Sequence, residues 1–146
     1  KMNVKLIGFP RHTDEYGSLV PIEASDNVPF EIKRVYYIYG VDEGVRRGFH
    51  SHAELKQVLI CVSGQVTILV KTPWEEQEIL LDDPQKGLYI GPMIWREMFD
   101  FSGDAVLLVL ASDHYKVEDY IRNYNQYEET ARQYFAEGQS VCEDRT

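Results

Sequence analysis

The chain has 146 residues, 44% of them hydrophobic and 27% charged, the balance of one soluble globular domain large enough to bury a core without disulfide staples. Its net charge of −9 argues against a nucleic-acid partner, because binding a phosphate backbone needs a broad basic face. The longest apolar runs, around residues 58–62 and 105–111, are far too short to span a membrane, so a cytoplasmic protein without a secretory leader is expected. Cys61 sits in an apolar run and Cys142 in a polar one, which reads as two free thiols in a reducing compartment.

Residues 4–22 begin in β pattern: Leu6, Phe9, Leu19 and Ile22 alternate with polar residues, and Tyr16-Gly17-Ser18 reads as a turn between two short strands. Residues 29–39 are β-branched and aromatic, and alternation puts Ile32, Arg34, Tyr36 and Ile38 on one face. An arginine and a tyrosine sharing a face with isoleucines mark a pocket wall. After a polar loop at 40–44 comes Arg46-Arg47-Gly48-Phe49-His50-Ser51-His52, which holds two of the four histidines. Strand residues two apart point the same way, so His50 and His52 present their imidazoles side by side.

Strands at 55–62 and 65–71 meet at Ser63-Gly64, the signal of a hairpin. An exposed turn follows at 74–77, a short strand at 78–81, and then Gly87-Leu88-Tyr89-Ile90-Gly91-Pro92 leads into Ile94-Trp95-Arg96-Glu97-Met98-Phe99. The run at 105–111 has the unbroken apolar character of a strand buried on both faces. Eight to ten short strands at this spacing predict an all-β sandwich or barrel. From Val117 onward the period changes. Val117, Tyr120, Ile121, Tyr124, Tyr127, Ala131 and Tyr134 recur at helical spacing, predicting a C-terminal helix whose tyrosine stripe packs on the sheets. The expected organisation is a single domain over 1–137, helix included, and a polar, disordered tail over 138–146.

A His-x-His on a strand of a small all-β protein resembles the cupin family, whose architecture is a double-stranded β-helix, or jelly roll. Metal-binding cupins follow the pair with a glutamate, a glycine and, on a later strand, a third histidine. Here His50, His52 and Gly64 match, but Gln57 stands at the glutamate position and Arg96-Glu97 at or beside the third histidine. A divalent cation would need Glu97 as a ligand and is opposed by the charge of Arg96, and strand parity leaves one of these two outside the pocket. The pattern therefore favours acid–base chemistry with no metal and no cofactor. Imidazoles titrating near neutrality would exchange protons, and Tyr36 would relay one or hold an oxyanion. Arg34, Arg46, Arg47, Lys56 and Arg96 cluster in the neighbouring segments, a local positive field suited to a phosphorylated small molecule.

Several blocks carry a closer resemblance. Ile32-Lys33-Arg34-Val35-Tyr36-Tyr37-Ile38, Arg47-Gly48-Phe49-His50-Ser51-His52, Gln57-Val58-Leu59-Ile60-Cys61, Gly87 to Pro92, Trp95-Arg96-Glu97-Met98 and Asp119-Tyr120-Ile121-Arg122 resemble the dTDP-4-keto-6-deoxyglucose 3,4-ketoisomerases, metal-independent cupins of deoxysugar pathways. The resemblance runs from about residue 4 to 127. It implies a dTDP-linked 4-keto-6-deoxy sugar as substrate, His50 as the base, and His52 and Tyr36 as relay or hydrogen-bond partners. It also implies substrate contacts from Arg34, Arg47, Arg96, Tyr16, Lys56 and Trp95. The Tyr16/Arg96 combination is similar to the quinovose-type branch, whose product is the 3-keto-6-deoxyglucose isomer. A homodimer is expected, with exchange of N-terminal strands between subunits as one way to build it. Competing readings are a 3,5-epimerase-like enzyme, a non-catalytic nucleotide-sugar-binding cupin and a metal-dependent cupin.

Overall fold

The computed structural model describes the backbone of residues 2–144 and the side chains through residue 138. Twelve strands precede a C-terminal helix: β1 (Val4–Gly8), β2 (His12–Asp14), β3 (Gly17–Leu19), β4 (Arg34–Tyr39), β5 (Arg47–His52), β6 (Gln57–Ser63), β7 (Val66–Lys71), β8 (Glu76–Leu81), β9 (Lys86–Ile90), β10 (Trp95–Phe99), β11 (Val106–Ala111), β12 (Tyr120–Ile121) and α1 (Tyr124–Asp144). Two five-stranded sheets form the body, ordered β1-β9-β6-β11-β4 and β12-β5-β10-β7-β8, and every pairing within them is antiparallel. This is the cupin jelly roll with one added helix.

Alternation decides what each sheet buries. Val66, Ile68 and Val70 of β7 meet Leu59, Leu88 and Leu107 of the opposite sheet in the main core. The outward residues Val58 and Ile60 of β6 are buried too, because the N-terminal segment folds Phe9, Val28 and Phe30 over them. A double cover of this kind is why β6 and β11 read as continuous apolar runs. Strand β4 lies at a sheet edge. Its Arg34, Tyr36 and Ile38 are half-buried, whereas Val35, Tyr37 and Tyr39 stand in solvent, as the expected alternation requires.

Two expectations are corrected. Strands β6 and β7 are not a hairpin: β6 pairs with β9 and β11, β7 with β8 and β10, so Ser63-Gly64 carries the chain from one sheet to the other. A turn dipeptide between two strands marks a reversal but does not say whether the ladder continues across it. The helix, moreover, does not begin at Val117. Val117–Asp119 is a single 3-10 turn, Tyr120 and Ile121 pair with His52 and Ser51 of β5, and α1 starts only at Tyr124. The spacing of Val117, Tyr120 and Ile121 fits a helix, yet the ladder to β5 wins.

The packing stripe survives from Tyr124 to Ala131: Tyr127 and Ala131 are buried against Met93, Trp95 and Ile121, whereas Tyr134 is 40% exposed and Phe135 packs inward in its place. The Tyr127 hydroxyl reaches the carbonyls of Lys71 and Met93, at 3.1 and 3.0 Å. Helix α1 continues past Glu137 to Asp144, so most of the tail expected over 138–146 is helical; 145–146 lie outside the described residues. Among the described residues no helix is long and apolar enough to cross a membrane.

Candidate active site

The site is built where β5, β10 and β12 face β4 and β6 across the barrel. Strand β5 enters it through an irregularity: Glu97 pairs with Gly48 and Arg96 with His50, which leaves Phe49 without an opposite number. Gly48 (φ 92) and Phe49 (φ 57) both take left-handed backbone, the mark of a β-bulge. Such bulges re-aim the residues beyond them, here the two histidines. A Cβ at Gly48 would come 2.9 Å from the Arg96 carbonyl oxygen, so close approach as well as φ demands glycine.

Beyond the bulge the His50 and His52 rings meet edge to face with centroids 4.9 Å apart, and Tyr120 closes on both, at 5.0 and 4.4 Å. His52 is 1% exposed. Its Nδ1 lies 3.1 Å from Oδ2 of Asp119, whose carboxylate also accepts the backbone N–H groups of Glu54 and Leu55. Burial first, then the nearby Arg96 charge, lowers the His52 pKa to about 2, so the ring is neutral and the 3.1 Å contact is a hydrogen bond of a neutral imidazole to a carboxylate. A carboxylate can only accept, so the single ring proton sits on Nδ1 and the Nε2 lone pair is left in the barrel interior. Nε2 of His52 and Nδ1 of His50 are both buried with no hydrogen-bond partner among the described residues. His50 is held low in the same way, to about 4, by burial and then by Arg96.

Opposite the histidines runs a three-residue chain. Arg96, 1% exposed, donates through a terminal guanidinium nitrogen to Oε1 of Gln57 at 2.6 Å, and Nε2 of Gln57 donates to the Tyr36 hydroxyl at 3.1 Å. The rest of the guanidinium is tied to the Ile94 carbonyl. Burial lowers the Arg96 pKa to about 10, which still leaves it charged at neutral pH, and burial raises that of Tyr36, which keeps its proton. Arg34 stacks on Tyr36 at 5.2 Å and on Tyr115 at 5.7 Å; its Nε is buried and unpartnered. A cleft of about 350 Å³ opens beside His52, Asp119 and Tyr120, with Arg34, Lys33, Lys56 and Lys116 on its walls. Glu31, Glu54, Asp113 and Asp119 line the same cleft and Asp113 holds Lys116 at 2.7 Å, which leaves Lys33, Arg34 and Lys56 as the cations an entering anionic ligand would meet.

With that geometry in place, comparison with known proteins is informative. The family model "FdtA: WxcM-like, C-terminal" matches residues 2–132. The chain belongs to the FdtA family. A curated relative from Aneurinibacillus thermoaerophilus, named TDP-4-oxo-6-deoxy-alpha-D-glucose-3,4-oxoisomerase, is 49% identical over 86% of this chain and 91% of its own. A variant of the 3,4-ketoisomerase QdtA from Thermoanaerobacterium thermosaccharolyticum, crystallised with TDP-4-keto-6-deoxyglucose, superposes with a TM-score of 0.89 at 56% identity, covering 90% of this chain and 95% of that one. The WlaRB TDP-quinovose 3,4-ketoisomerase from Campylobacter jejuni gives 0.84 at 46%, covering 87% and 98%.

In this FdtA-family chain, five of the residues expected from sequence converge: His50, His52, Tyr36, Arg34 and Arg96 all face the same interior. The register settles the Arg96/Glu97 ambiguity. Arg96 points inward, while Glu97 pairs with Arg46 at 2.7 Å and accepts the Trp95 indole N–H at 2.8 Å. Glu97, the carboxylate considered from sequence for a metal set, therefore lies on the other face, held by Arg46 and Trp95. Lys56 lines the cleft wall. Three residues fall elsewhere. Trp95, expected to contact substrate, is buried under α1 against Tyr124 and Tyr127 and does not line the cleft; strand parity places it opposite Arg96. Arg47 is exposed on the far side of the bulge, and Tyr16, 89% exposed in the β2–β3 turn, is not among the residues that line the cleft. Asp119, Tyr120 and Gln57 were not among the expected site residues. The first two lie in a block quoted for its resemblance, but the helical period hid their pairing with β5.

Proposed function

We propose that this FdtA-family chain is a 3,4-ketoisomerase that converts dTDP-4-keto-6-deoxy-D-glucose to the 3-keto-6-deoxy-D-glucose isomer. The observation that carries the proposal is the pair of buried imidazoles meeting edge to face at 4.9 Å, with the Asp119 contact at 3.1 Å fixing which His52 nitrogen is free and Tyr36 held in the chain from Arg96 through Gln57. The C4 carbonyl acidifies the C3 proton of the sugar. His50 takes that proton, the C3–H electrons form a C3=C4 bond, and the C4 oxygen is protonated with Tyr36 as the donor. The C3 hydroxyl then gives up its proton as the C3 carbonyl forms, and a proton returned to C4 completes the isomer. C3 is oxidised and C4 reduced by the same electron pair, so neither a redox cofactor nor a metal has to enter the balance. His52, its Nδ1–H held by Asp119, offers Nε2 as the relay between the two protonations.

Arg34 and Lys56 at the cleft are assigned to the diphosphate, where bidentate and point-charge contacts would hold the nucleotide and position the sugar. Arg96 beside the reacting carbons, in combination with Tyr16, supports the quinovose-type product. Tyr16 does not line its own chain's cleft, and in a dimer it would act at the partner's. The β2–β3 hairpin, all six of its strand residues exposed, supports a homodimer in which N-terminal segments cross between subunits. A cytoplasmic location fits the buried free thiol of Cys61.

The test is turnover of the 4-keto sugar by chelator-treated protein and by His50→Asn. The expected result is unimpaired activity in chelator and a loss of roughly 10²–10⁴-fold in kcat for the variant with thymidine diphosphate binding retained. Activity abolished by chelator, or a variant as fast as the parent, would overturn the assignment.

A further inference from the structure

Gln57 is 2% exposed on β6 and its carboxamide is wedged between a cation and a phenol. Arginine has no acceptor atom, so the group 2.6 Å from the Arg96 guanidinium can only be the carboxamide oxygen. The amide orientation follows from that contact, and Nε2, not Oε1, must face the Tyr36 hydroxyl. The tyrosine oxygen is thereby used as an acceptor from the protein, and its own O–H is left to point elsewhere.

We propose that Gln57 is a positioning residue that sets the hydrogen-bond polarity of the site: anchored by Arg96, it obliges Tyr36 to donate its proton toward the sugar oxygen. The inference rests on the ketoisomerase reading and deepens it. A glutamate at this position, near-isosteric, keeps the Arg96 bond and reverses the one to Tyr36. Its carboxylate would pair with Arg96, accept the Tyr36 O–H and remove the donor from the sugar. It would also offset the Arg96 charge felt by His50. The other groups bearing on His50 are the Gly48 backbone and Arg122 beyond β12, with His52 in ring contact, and Arg34 and Tyr120 bear on the neighbouring His52 and Tyr36; none of these changes in the variant.

The experiment compares wild type, Gln57→Glu and Gln57→Met in a pH series of kcat on dTDP-4-keto-6-deoxyglucose, with thymidine diphosphate affinity measured in parallel. For Gln57→Glu we expect kcat down roughly 10²-fold, nucleotide affinity within about threefold of wild type, and the acid limb of kcat moved to higher pH by about one unit. Gln57→Met removes the dipole but leaves the Arg96 charge, so kcat should fall while the acid limb stays. An acid limb and kcat unchanged in Gln57→Glu would overturn the proposal, as would equal acid-limb shifts in both variants, which would mark a merely structural effect. If wild type itself has no turnover, the ketoisomerase reading fails instead, which keeps the two failures distinct.

Discussion

At the scale of single residues, the site depends on keeping imidazoles neutral inside a positive field. His50, lowered from 6.5 to about 4 chiefly by burial and next by Arg96, is ready to accept a proton throughout the neutral range. The sign has a kinetic consequence. In the free protein, kcat/KM should stay level as pH falls from 8 through 6.5 and drop only toward pH 4, because the base is lost only when His50 protonates. Once substrate is bound, its diphosphate charge offsets Arg96, Arg34 and Arg122, the proton affinity of His50 rises, and the acid limb of kcat should lie above that of kcat/KM. A kcat/KM that halves near pH 6.5, or a kcat limb below it, would contradict this account. The residues that do this work were unevenly legible. Parity alone pairs His50 with His52 and Arg34 with Tyr36. Asp119 stands 67 residues from His52, and no local pattern announces such a contact.

At the scale of elements, the decisive feature is the bulge in β5. The residue two before His50 must be glycine on two counts, φ 92 and the 2.9 Å approach of a Cβ to the Arg96 carbonyl oxygen. Gly48→Ala should therefore cost about 1–3 kcal/mol and also displace His50, so that a thermal melt and kcat fall together. An unchanged melting temperature would show that the bulge tolerates a side chain. The bulge could not be read from the sequence, since Arg47-Gly48-Phe49-His50 fits a regular strand equally well. The same limit explains the other misreadings. Ser63-Gly64 signals a turn without naming the ladder partner, and the residues from Val117 to Ile121 satisfy the helical period while pairing as a strand. By contrast, the strands expected within 29–39 and 105–111 followed from their apolar alternation or runs and are found at 34–39 and 106–111, while the one at 47–52 was read from its His-x-His pair.

At the scale of the whole molecule, one chain leaves surface that a lone subunit has no use for. Val35, Tyr37 and Tyr39 stand 57%, 60% and 71% exposed along the outer face of the edge strand β4, and every strand residue of the β2–β3 hairpin is exposed. A dimer would cover such surface and bring Tyr16 to a second cleft. Light scattering should then give about twice 17.0 kDa, and a mass of one chain at micromolar concentration would rule the dimer out.

The central claim is that the paired histidines move a ketone from C4 to C3 through an enediol. Proton NMR of dTDP-4-keto-6-deoxyglucose in D2O with chelator-treated protein tests it most directly. The account predicts a 3-keto product whose C5 proton is retained. Deuterium entering at C5 would point to epimerase chemistry, and an unchanged substrate in the presence of bound thymidine nucleotide would contradict the role given to His50.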